Sequence, residues 1–346
     1  MRLVKKKTIA VIFGGCSTEY EVSVQSAHSV LENLDSAKYN VVCVGITRQG
    51  DWYRYYGDYE KILKNNWSQD RKNLVRIAVS NSRSIRGLIE MRNTGISVVE
   101  IDLAFPILHG KNGEDGTVQG LFELAGIPVV GCGTLASALC MDKDRAHKLV
   151  HAAGISVPKS ITIRQGESID EADLNYPLFV KPVRAGSSFG ITKVYHQNDL
   201  QAAVTLAFEH DDTVILEENV EGFEVGCAVM GIDDLTVGRV DEIELSQGFF
   251  DYTEKYTLKT SKIHMPARID SATEMRIRET AKKIYRTLGC SGFARVDMFL
   301  RPDGEIVFNE VNTIPGFTSH SRYPNMMKGT GLSFSEMLDK LIGLYD

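Results

Sequence analysis

The sequence has no long hydrophobic run, no excess of basic residues and no stretch typical of a leader. No apolar segment approaches the roughly 18 residues that a membrane-spanning helix needs. The net charge of -6 over 346 residues argues against nucleic acid as the main partner. A strand-like run begins almost at once, at Thr8, and leaves no room for a signal peptide. We therefore expect a cytoplasmic protein that binds neither membrane nor nucleic acid.

Cysteine is also sparse. The six cysteines show no CxxC spacing and most stand in apolar contexts: Cys16, Cys43, Cys132, Cys140, Cys227 and Cys290. A zinc site or a secreted disulfide framework would show regular spacing. We expect reduced thiols in the core.

Two common nucleotide motifs are missing. There is no Walker A sequence, GxxxxGK[ST], and the Gly14-Gly15 turn after the first strand lacks the rest of a GxGxxG fingerprint. A nicotinamide dehydrogenase is therefore a weak alternative. The turn still precedes a predicted helix, from about Val22 to Leu34, so its backbone N–H groups could face an anion. Glu19 stands in this turn.

The composition is that of an α/β enzyme of two or three domains, with 43% hydrophobic and 24% charged residues. Strand and helix patterns alternate up to about Gly131, and this predicts an open parallel sheet that ends with a strand at Ile127 to Val130. Between Gly50 and Ser97 the pattern weakens, and we expect irregular structure there.

One predicted hairpin carries a possible metal site. The segment from Arg295 to Asn312, RVDMFLRPDGEIVFNEVN, has two strands around an Arg-Pro-Asp-Gly turn. Glu310 and Asn312 lie two apart, so they share a face, and Asp297 can lie beside them. Two carboxylates and an amide suit a hard cation such as Mg²⁺. An exposed acidic hairpin is the alternative.

Two lysines and a small-residue loop indicate phosphate binding. Lys143 lies in the first turn of a predicted helix, where a cation opposes the helix dipole and needs an anionic partner. Lys181 ends a predicted strand, and the following loop contains Gly186, Ser187 and Ser188. Small side chains and backbone donors permit close approach to a polyphosphate. A flexible hairpin is the alternative, but the adjoining Lys181 favours phosphate binding.

Three further segments are candidates for ligand contacts. His109 begins a glycine-rich loop, HGKNGEDG, although a lone histidine there is more often structural. Residues 243–262 are long, polar and aromatic, which is typical of a lid. The segment from Thr313 to Pro324, directly after the proposed metal ligands, is predicted to be a substrate loop.

Taken together, the motifs resemble those of the D-alanine:D-alanine ligase family of ATP-grasp enzymes over nearly the whole chain. The resemblance rests on GGCSTEYEVS, LHGKNGEDG, MDKDRAHKL, KPVRAGSSFG, the EKY of the predicted lid, RVDMF and NEVNTIPGFTSHS, in this order. It implies an α/β (α+β) protein of three domains. These are an N-terminal substrate domain (1–131), a central domain with the phosphate loop (132–220) and a C-terminal domain with the lid and metal site (221–346). The last two would sandwich ATP.

The resemblance also implies a role for each site residue. Two Mg²⁺ ions, replaceable by Mn²⁺, would be held by Asp297, Glu310 and Asn312. ATP would contact Lys143, Lys181, Ser188, Glu217, Glu224 and Lys255. The reaction itself would involve Glu19, Ser187, Tyr256, Arg295 and Gly316, with Arg295 and the Gly316 N–H as oxyanion donors. The amino-acid substrates would contact His109, Phe250, Ser321 and Arg322.

Within the family, the chain looks most like the VanG-type D-alanine:D-serine ligases of vancomycin resistance. Arg322 follows Ser321 where plain alanine ligases usually carry leucine, and Tyr256 disfavours lactate as acceptor. Phe250 and Arg322, and more weakly Asp241, resemble the determinants of D-serine choice. The resemblance implies peptidoglycan precursor synthesis by a cytoplasmic homodimer. Ordinary D-alanine:D-alanine ligation and a non-catalytic nucleotide-binding regulator remain the alternatives.

Overall fold

The computed structural model describes residues 6–169, 173–186, 189–245 and 261–346. These residues form three β-sheets with helices packed against them. The α/β class predicted from the sequence is confirmed.

The first sheet has seven strands in the order β6-β5-β4-β3-β2-β1-β7. They are β1 (Lys7–Gly14), β2 (Tyr39–Ile46), β3 (Trp52–Tyr55), β4 (Leu74–Val79), β5 (Gly87–Arg92), β6 (Gly95–Glu100) and β7 (Leu103–Ile107). The accompanying helices are α1 (Tyr20–Asn33), α2 (Glu60–Leu63) and α3 (Thr117–Ala125), with 3₁₀ turns at Trp67–Gln69 and Arg71–Asn73.

This sheet corrects three expectations. Only β2, β1 and β7 are parallel, whereas β3 to β6 are antiparallel, so the sheet is mixed rather than parallel and the region predicted to be irregular is largely strand. The strand pattern was hidden because these strands bury charge: Glu90 accepts from Arg54 at 2.7 Å and from Tyr56 at 2.6 Å. The strand expected at Ile127 to Val130 is a single bridge between Val129 and Ala104.

The second sheet is antiparallel and has the order β10-β9-β11-β8. Its strands are β8 (Ser160–Arg164), β9 (Leu178–Pro182), β10 (Thr192–Val194) and β11 (Thr213–Glu218). Two helices precede it, α4 (Thr134–Met141) and α5 (Lys143–Ala152), and α6 (Gln197–Phe208) packs on it. Lys181 on β9 pairs with Ile215 of β11. Glu217 lies two residues further along β11.

The third sheet is also antiparallel and has the order β14-β13-β12-β15-β16. Its strands are β12 (Phe223–Gly231), β13 (Thr236–Leu245), β14 (Ser261–His264), β15 (Gly292–Leu300) and β16 (Ile306–Asn312). The remaining helices of the described chain are α7 (Ser271–Thr287), α8 (Arg322–Lys328) and α9 (Phe334–Gly343). The central strands are almost fully buried because α7 and α8 both pack on them.

Local capping and the thiols agree with the sequence. The Asp142 side chain accepts from the Arg145 backbone N–H at the start of α5, and Ser333 and Glu336 form the predicted capping box of α9. All six cysteines are free and five are buried. Among the described helices, none is both long and apolar enough to cross a membrane.

The packing around Trp67 yields a test of the fold. Trp67 is fully buried against β2 and donates to the Tyr20 hydroxyl at 2.9 Å. A Cβ at Gly45 would lie 2.4 Å from the indole ring. Gly45→Ala is therefore expected to lower the free energy of unfolding by about 1–3 kcal/mol through overpacking, measured by urea denaturation.

Gly120→Ala is the matched control, because its Cβ would meet Thr134 at an ordinary 3.6 Å in the middle of α3. The control should be neutral or stabilising by up to about 1 kcal/mol. Equal stability of Gly45→Ala and the natural protein would contradict the packing argument.

Candidate active site

The hairpin of β15 and β16 brings the three proposed metal ligands together. Asp297 lies opposite Glu310, and a bulge next to Asp297 shifts the register beyond this pair. The Asn312 amide donates to Asp297 Oδ2 at 2.9 Å and lies 3.5 Å from Glu310 Oε1. Strand periodicity and the turn sequence thus predicted this geometry correctly.

Asp297 is the centre of a buried ionic network. Arg295 donates to both of its oxygens, at 2.7 to 3.0 Å, and Arg322 Nη2 lies 3.3 Å from Oδ1. Arg322 is also bidentate to Asp241, with both bonds at 2.8 Å, and donates to Glu224 at 3.0 Å. Burial alone would lower the pKa of Arg322, but Asp241 and Asp297 raise it above its ordinary value.

The residues at this hairpin fit a divalent cation. Asp297, Asp241 and Glu224 carry three negative charges against the two guanidinium groups of the network, and Glu310 adds a fourth. No group of three or more His, Cys, Asp or Glu side chains in the described ranges is arranged to hold a metal ion. Two carboxylates and one amide are, however, the incomplete oxygen set that Mg²⁺ accepts when phosphates supply its other ligands.

A cavity of about 490 Å³ lies beside the hairpin. Its lining includes predicted site residues from all parts of the described chain: Glu19, His109, Lys143, Arg295, Glu310, Asn312, Gly316, Ser321 and Arg322. The structure therefore brings together most of the predicted catalytic and substrate residues that it describes.

The Glu19 carboxylate sits between two glycines from separate loops. A Cβ on Gly110 would lie 2.4 Å from Glu19 Oε2, and one on Gly186 would lie 2.9 Å from the same atom. Gly186 directly precedes Ser187, which lies outside the described residues. The N-terminal turn thus reaches the loop predicted to bind phosphate.

A second cavity of about 610 Å³ lies between the two antiparallel sheets. Lys181, Glu217 and Glu224 line it, and Lys143 and Glu310 line both cavities. Lys143 donates to the Ala185 carbonyl at 2.8 Å. The two spaces therefore meet at a lysine and a proposed metal ligand, which is the arrangement that a group transfer between two substrates requires.

Glu217 is buried with Lys181 and His147. Lys181 Nζ donates to Glu217 Oε2 at 2.5 Å, and His147 Nδ1 lies 3.8 Å from Glu217 Oε1. Burial would raise the pKa of Glu217, but Lys181, His147 and Lys143 together hold it below its ordinary value. The carboxylate thus faces protein cations, and its proposed contact with the nucleotide remains a prediction.

The histidine of the glycine-rich loop uses both ring nitrogens within the protein. His109 Nδ1 lies 2.8 Å from the Ile314 carbonyl, and Nε2 lies 3.2 Å from Ser26 Oγ. The carbonyl can only accept, so Nδ1 carries the proton and Nε2 accepts from the hydroxyl. Burial lowers the pKa of His109, in agreement with a neutral ring.

The predicted substrate loop ends in a short helix. Ser321 is the residue before α8, and its Oγ accepts from the Thr318 backbone N–H at 3.0 Å. Arg322 is the first helical residue, where its charge opposes the helix dipole and is offset by the carboxylates around it. Its bidentate partner is Asp241 rather than the open cavity.

Five predicted site residues lie outside the described part of the chain: Ser187, Ser188, Phe250, Lys255 and Tyr256. Most of the predicted lid lies outside the described residues as well, because they end at 245 and resume at 261.

Two residues that line or border the site, Glu114 and His147, had no role predicted from the sequence. Glu114 accepts from the backbone N–H groups of Gly110 and Ile314, both at 2.9 Å. Burial and the neighbouring Glu19 raise its pKa above the ordinary value. Glu114 lies in LHGKNGEDG, so an acid inside a glycine-rich loop was the available signal.

Known proteins resemble the chain over its full length. The sequence model described as "D-ala D-ala ligase N-terminus" matches residues 8–132, and "D-ala D-ala ligase C-terminus" matches residues 149–343. The crystal structure of VanG D-Ala:D-Ser ligase from Enterococcus faecalis is 68% identical, with a TM-score of 0.93, and the match covers 99% of this chain and 100% of that one.

Two curated relatives are similar over nearly their whole length. The vancomycin B-type resistance protein VanB of Enterococcus faecalis (strain ATCC 700802 / V583) is 46% identical, covering 99% of both chains. A D-alanine:D-alanine ligase of Caldicellulosiruptor bescii (strain ATCC BAA-1888 / DSM 6725 / KCTC 15123 / Z-1320) is 42% identical, covering 98% of this chain and 95% of the relative.

Fold and site together define an ATP-grasp enzyme, an ATP-dependent ligase that forms peptide bonds. Within this class, the chain belongs to the D-alanine:D-alanine ligase family. The fold class and the family resemblance predicted from the sequence are both confirmed.

The buried pair of Lys181 and Glu217 gives a prediction that depends on pH. Glu217→Gln is expected to lower the free energy of unfolding by about 3 kcal/mol at pH 7, because Lys181 stays buried without its charged partner. The folded pKa is lowered, so the natural protein's advantage is full above about pH 4.5 and disappears as the pH falls through the folded pKa.

Urea unfolding of both proteins from pH 7 down to pH 3.5 measures this difference. Glu218→Gln is the control, since Glu218 is next in the chain, is 22% exposed and bonds to Asn175. Its effect should stay below about 1 kcal/mol. A difference between Glu217→Gln and the natural protein that is independent of pH would refute the electrostatic explanation.

Proposed function

We propose that the protein joins D-alanine to D-serine with ATP and Mg²⁺, through a D-alanyl phosphate, for peptidoglycan precursors that confer vancomycin resistance. The observation that carries this proposal is Arg322, which stands in the cavity wall directly after Ser321 and is fixed there by Asp241. The high identity to VanG D-Ala:D-Ser ligase supports the same acceptor.

ATP would lie in the cleft between the antiparallel sheets. Lys143 and Lys181 would contact its phosphates, with Ser188 and Lys255, and Glu217 and Glu224 would face the adenine and ribose. Lys143 supports this assignment because a cation at a helix start is favoured only beside negative charge. Mg²⁺, held by Asp297, Glu310 and Asn312, would neutralise charge on the phosphates when bound.

Two displacements would follow. A carboxylate oxygen of D-alanine attacks the γ-phosphorus of ATP, the bond to the bridging oxygen breaks, and ADP leaves. The amine of D-serine then attacks the acyl carbon, the carbon–oxygen bond to phosphate breaks, and the amine gives up a proton. Arg295 and the Gly316 N–H would donate to the tetrahedral oxyanion, which is where preorganised donors accelerate acyl transfer most.

The two amino acids would occupy opposite ends of the 490 Å³ cavity beside the hairpin. Glu19, with Ser187 and Tyr256, would orient D-alanine near His109. Ser321 would bind the carboxylate of the second amino acid, and Arg322 and Phe250 would shape its side-chain pocket. Because the three donor groups of Arg322 face Asp241, Glu224 and Asp297, we infer that it acts by shaping and polarising the pocket.

Several broader expectations belong to this proposal. They are three domains at 1–131, 132–220 and 221–346, a homodimer, and a cytoplasmic location. D-alanine:D-alanine ligation of ordinary cell-wall synthesis is the second candidate function. The D-alanine:D-alanine ligase among the relatives favours it.

A competition assay tests the acceptor. With ATP, Mg²⁺, D-alanine and equal D-serine, mass spectrometry should find D-alanyl-D-serine as the main product, with some D-alanyl-D-alanine because one hydroxyl gives modest discrimination. In Asp241→Asn the ratio should shift towards D-alanine, since Arg322 loses its main charged partner. Glu274→Gln is the control, because it removes an ion pair between α7 and Arg239 of β13, the strand that also carries Asp241. Exclusive D-alanyl-D-alanine from the natural protein would overturn the D-serine assignment.

Glu310→Gln tests the proposed metal ligand. Loss of one anionic oxygen should reduce ATP-dependent phosphate release by on the order of 100-fold and raise the Mg²⁺ concentration needed for half-maximal rate. The control is Asp303→Asn in the turn of the same hairpin, where the side chain bonds only its own turn at 3.0 Å. An unchanged Mg²⁺ dependence in Glu310→Gln would remove this residue from the metal site.

A further inference from the structure

The segment that joins the proposed metal ligand Asn312 to the proposed oxyanion donor Gly316 is an arch with fixed ends. Asn312 ends β16 and is held by pairing with Arg295. At the other end, Phe317 is fully buried between Phe105 and Phe293, with ring centroids 6.1 and 5.1 Å away. The residue in the middle, Ile314, lies two positions from each functional group.

Ile314 is held from the first sheet by both of its backbone polar groups. Its N–H donates to Glu114 Oε1 at 2.9 Å, and its carbonyl accepts from His109 Nδ1 at 2.8 Å. Both side chains come from the loop after β7, about 200 residues away in sequence. The two bonds act on one residue from two sides, so they fix its orientation as well as its position.

A third contact extends this attachment to the next residues. The Phe317 N–H donates to Ser26 Oγ at 3.2 Å, and the same hydroxyl donates to His109 Nε2. Ser26 is fully buried on α1. Three side chains of the first sheet's layer therefore hold three backbone groups on either side of Gly316.

Glu114 also closes its own loop. Its Oε2 accepts from the Gly110 N–H at 2.9 Å, while its own N–H donates to the Gly110 carbonyl at 2.8 Å. A carboxyl group that joins two backbone N–H groups from distant segments transmits the position of one segment to the other. Removal of Glu114 would leave both N–H groups without this acceptor.

We propose that Glu114 is a positioning residue of the ligation reaction, which sets the location of the Gly316 N–H through the backbone of Ile314. This inference rests on the proposed function. It gives His109 the same role from the carbonyl side of Ile314, so that the loop of residues 109–114 acts on the reacting centre through the backbone, in addition to the proposed place of His109 near the first D-alanine.

The test compares Glu114→Ala with Asp115→Ala. Asp115 accepts two backbone N–H groups within its own loop, from Asn112 at 2.7 Å and Thr117 at 3.0 Å, and has no bond to Ile314 among the described contacts. Both variants remove a loop carboxylate with two backbone bonds. Only Glu114→Ala removes the connection to the arch.

In steady-state ligation, Glu114→Ala should lower kcat by on the order of 100-fold, as misplacement of an oxyanion donor does, with KM for ATP within about threefold of the natural value. Asp115→Ala should keep kcat within about threefold. Glu114→Gln retains one acceptor oxygen and should recover part of kcat, and it carries the test if Glu114→Ala does not fold.

Hydrogen exchange of the Ile314 amide provides a readout that does not depend on ligation. It should be faster in Glu114→Ala than in Asp115→Ala at equal melting temperature. Equal losses of kcat in the two alanine variants, or unchanged exchange at Ile314, would overturn the proposal. A natural protein that ligates D-alanine alone would refute only the acceptor assignment, since the fall in kcat is expected with either acceptor.

Discussion

The site depends on the balance of charge around Asp297. Burial of the Arg295 and Arg322 guanidinium groups costs free energy unless carboxylates pair with them. Asp297, Asp241 and Glu224 are these carboxylates. The same carboxylates leave a residual negative charge, which Glu310 increases. One network therefore fixes the hairpin, holds the start of α8 and favours a cation between the two cavities. Loss of one member changes all three.

Two cationic side chains of the site stand at the starts of helices. Lys143 and Arg322 are both first residues of helices, where a positive charge is unfavourable. Arg322 finds its compensation in protein carboxylates. Lys143 lies between the two cavities and contacts a carbonyl oxygen of the phosphate-loop segment. Of these two cations, Lys143 is the one that lies beside the proposed site of the ATP phosphates.

The features that were predicted correctly from sequence patterns depend on residues that are close together in the chain. The hairpin with Asp297, Glu310 and Asn312 follows from strand periodicity and a turn sequence, and the caps of α5 and α9 follow from side chains three residues apart. The motif resemblance added the family.

Long-range pairing was not accessible from these patterns. Arg322 was expected to face a ligand, but its partner Asp241 is 81 residues away. The four antiparallel strands from β3 to β6 were missed because Glu90 occupies a buried position that local rules assign to an apolar residue, paired with the half-buried Arg54. No role was predicted for Glu114, because Ile314, the residue that it holds, is 200 residues away in the sequence.

The two glycines that flank Glu19 constrain how this enzyme can diversify. Gly110 and Gly186 approach the carboxylate so closely that any side chain at either position would displace it. At that end of the 490 Å³ cavity, a side chain on either glycine is compatible with the site only if the Glu19 carboxylate moves away. The opposite end is lined by side chains at the start of α8, so a substitution of Ser321 or Arg322 changes the lining directly. Point mutations therefore alter one end of the cavity one side chain at a time, whereas at the other end a change of either glycine also displaces a functional carboxylate.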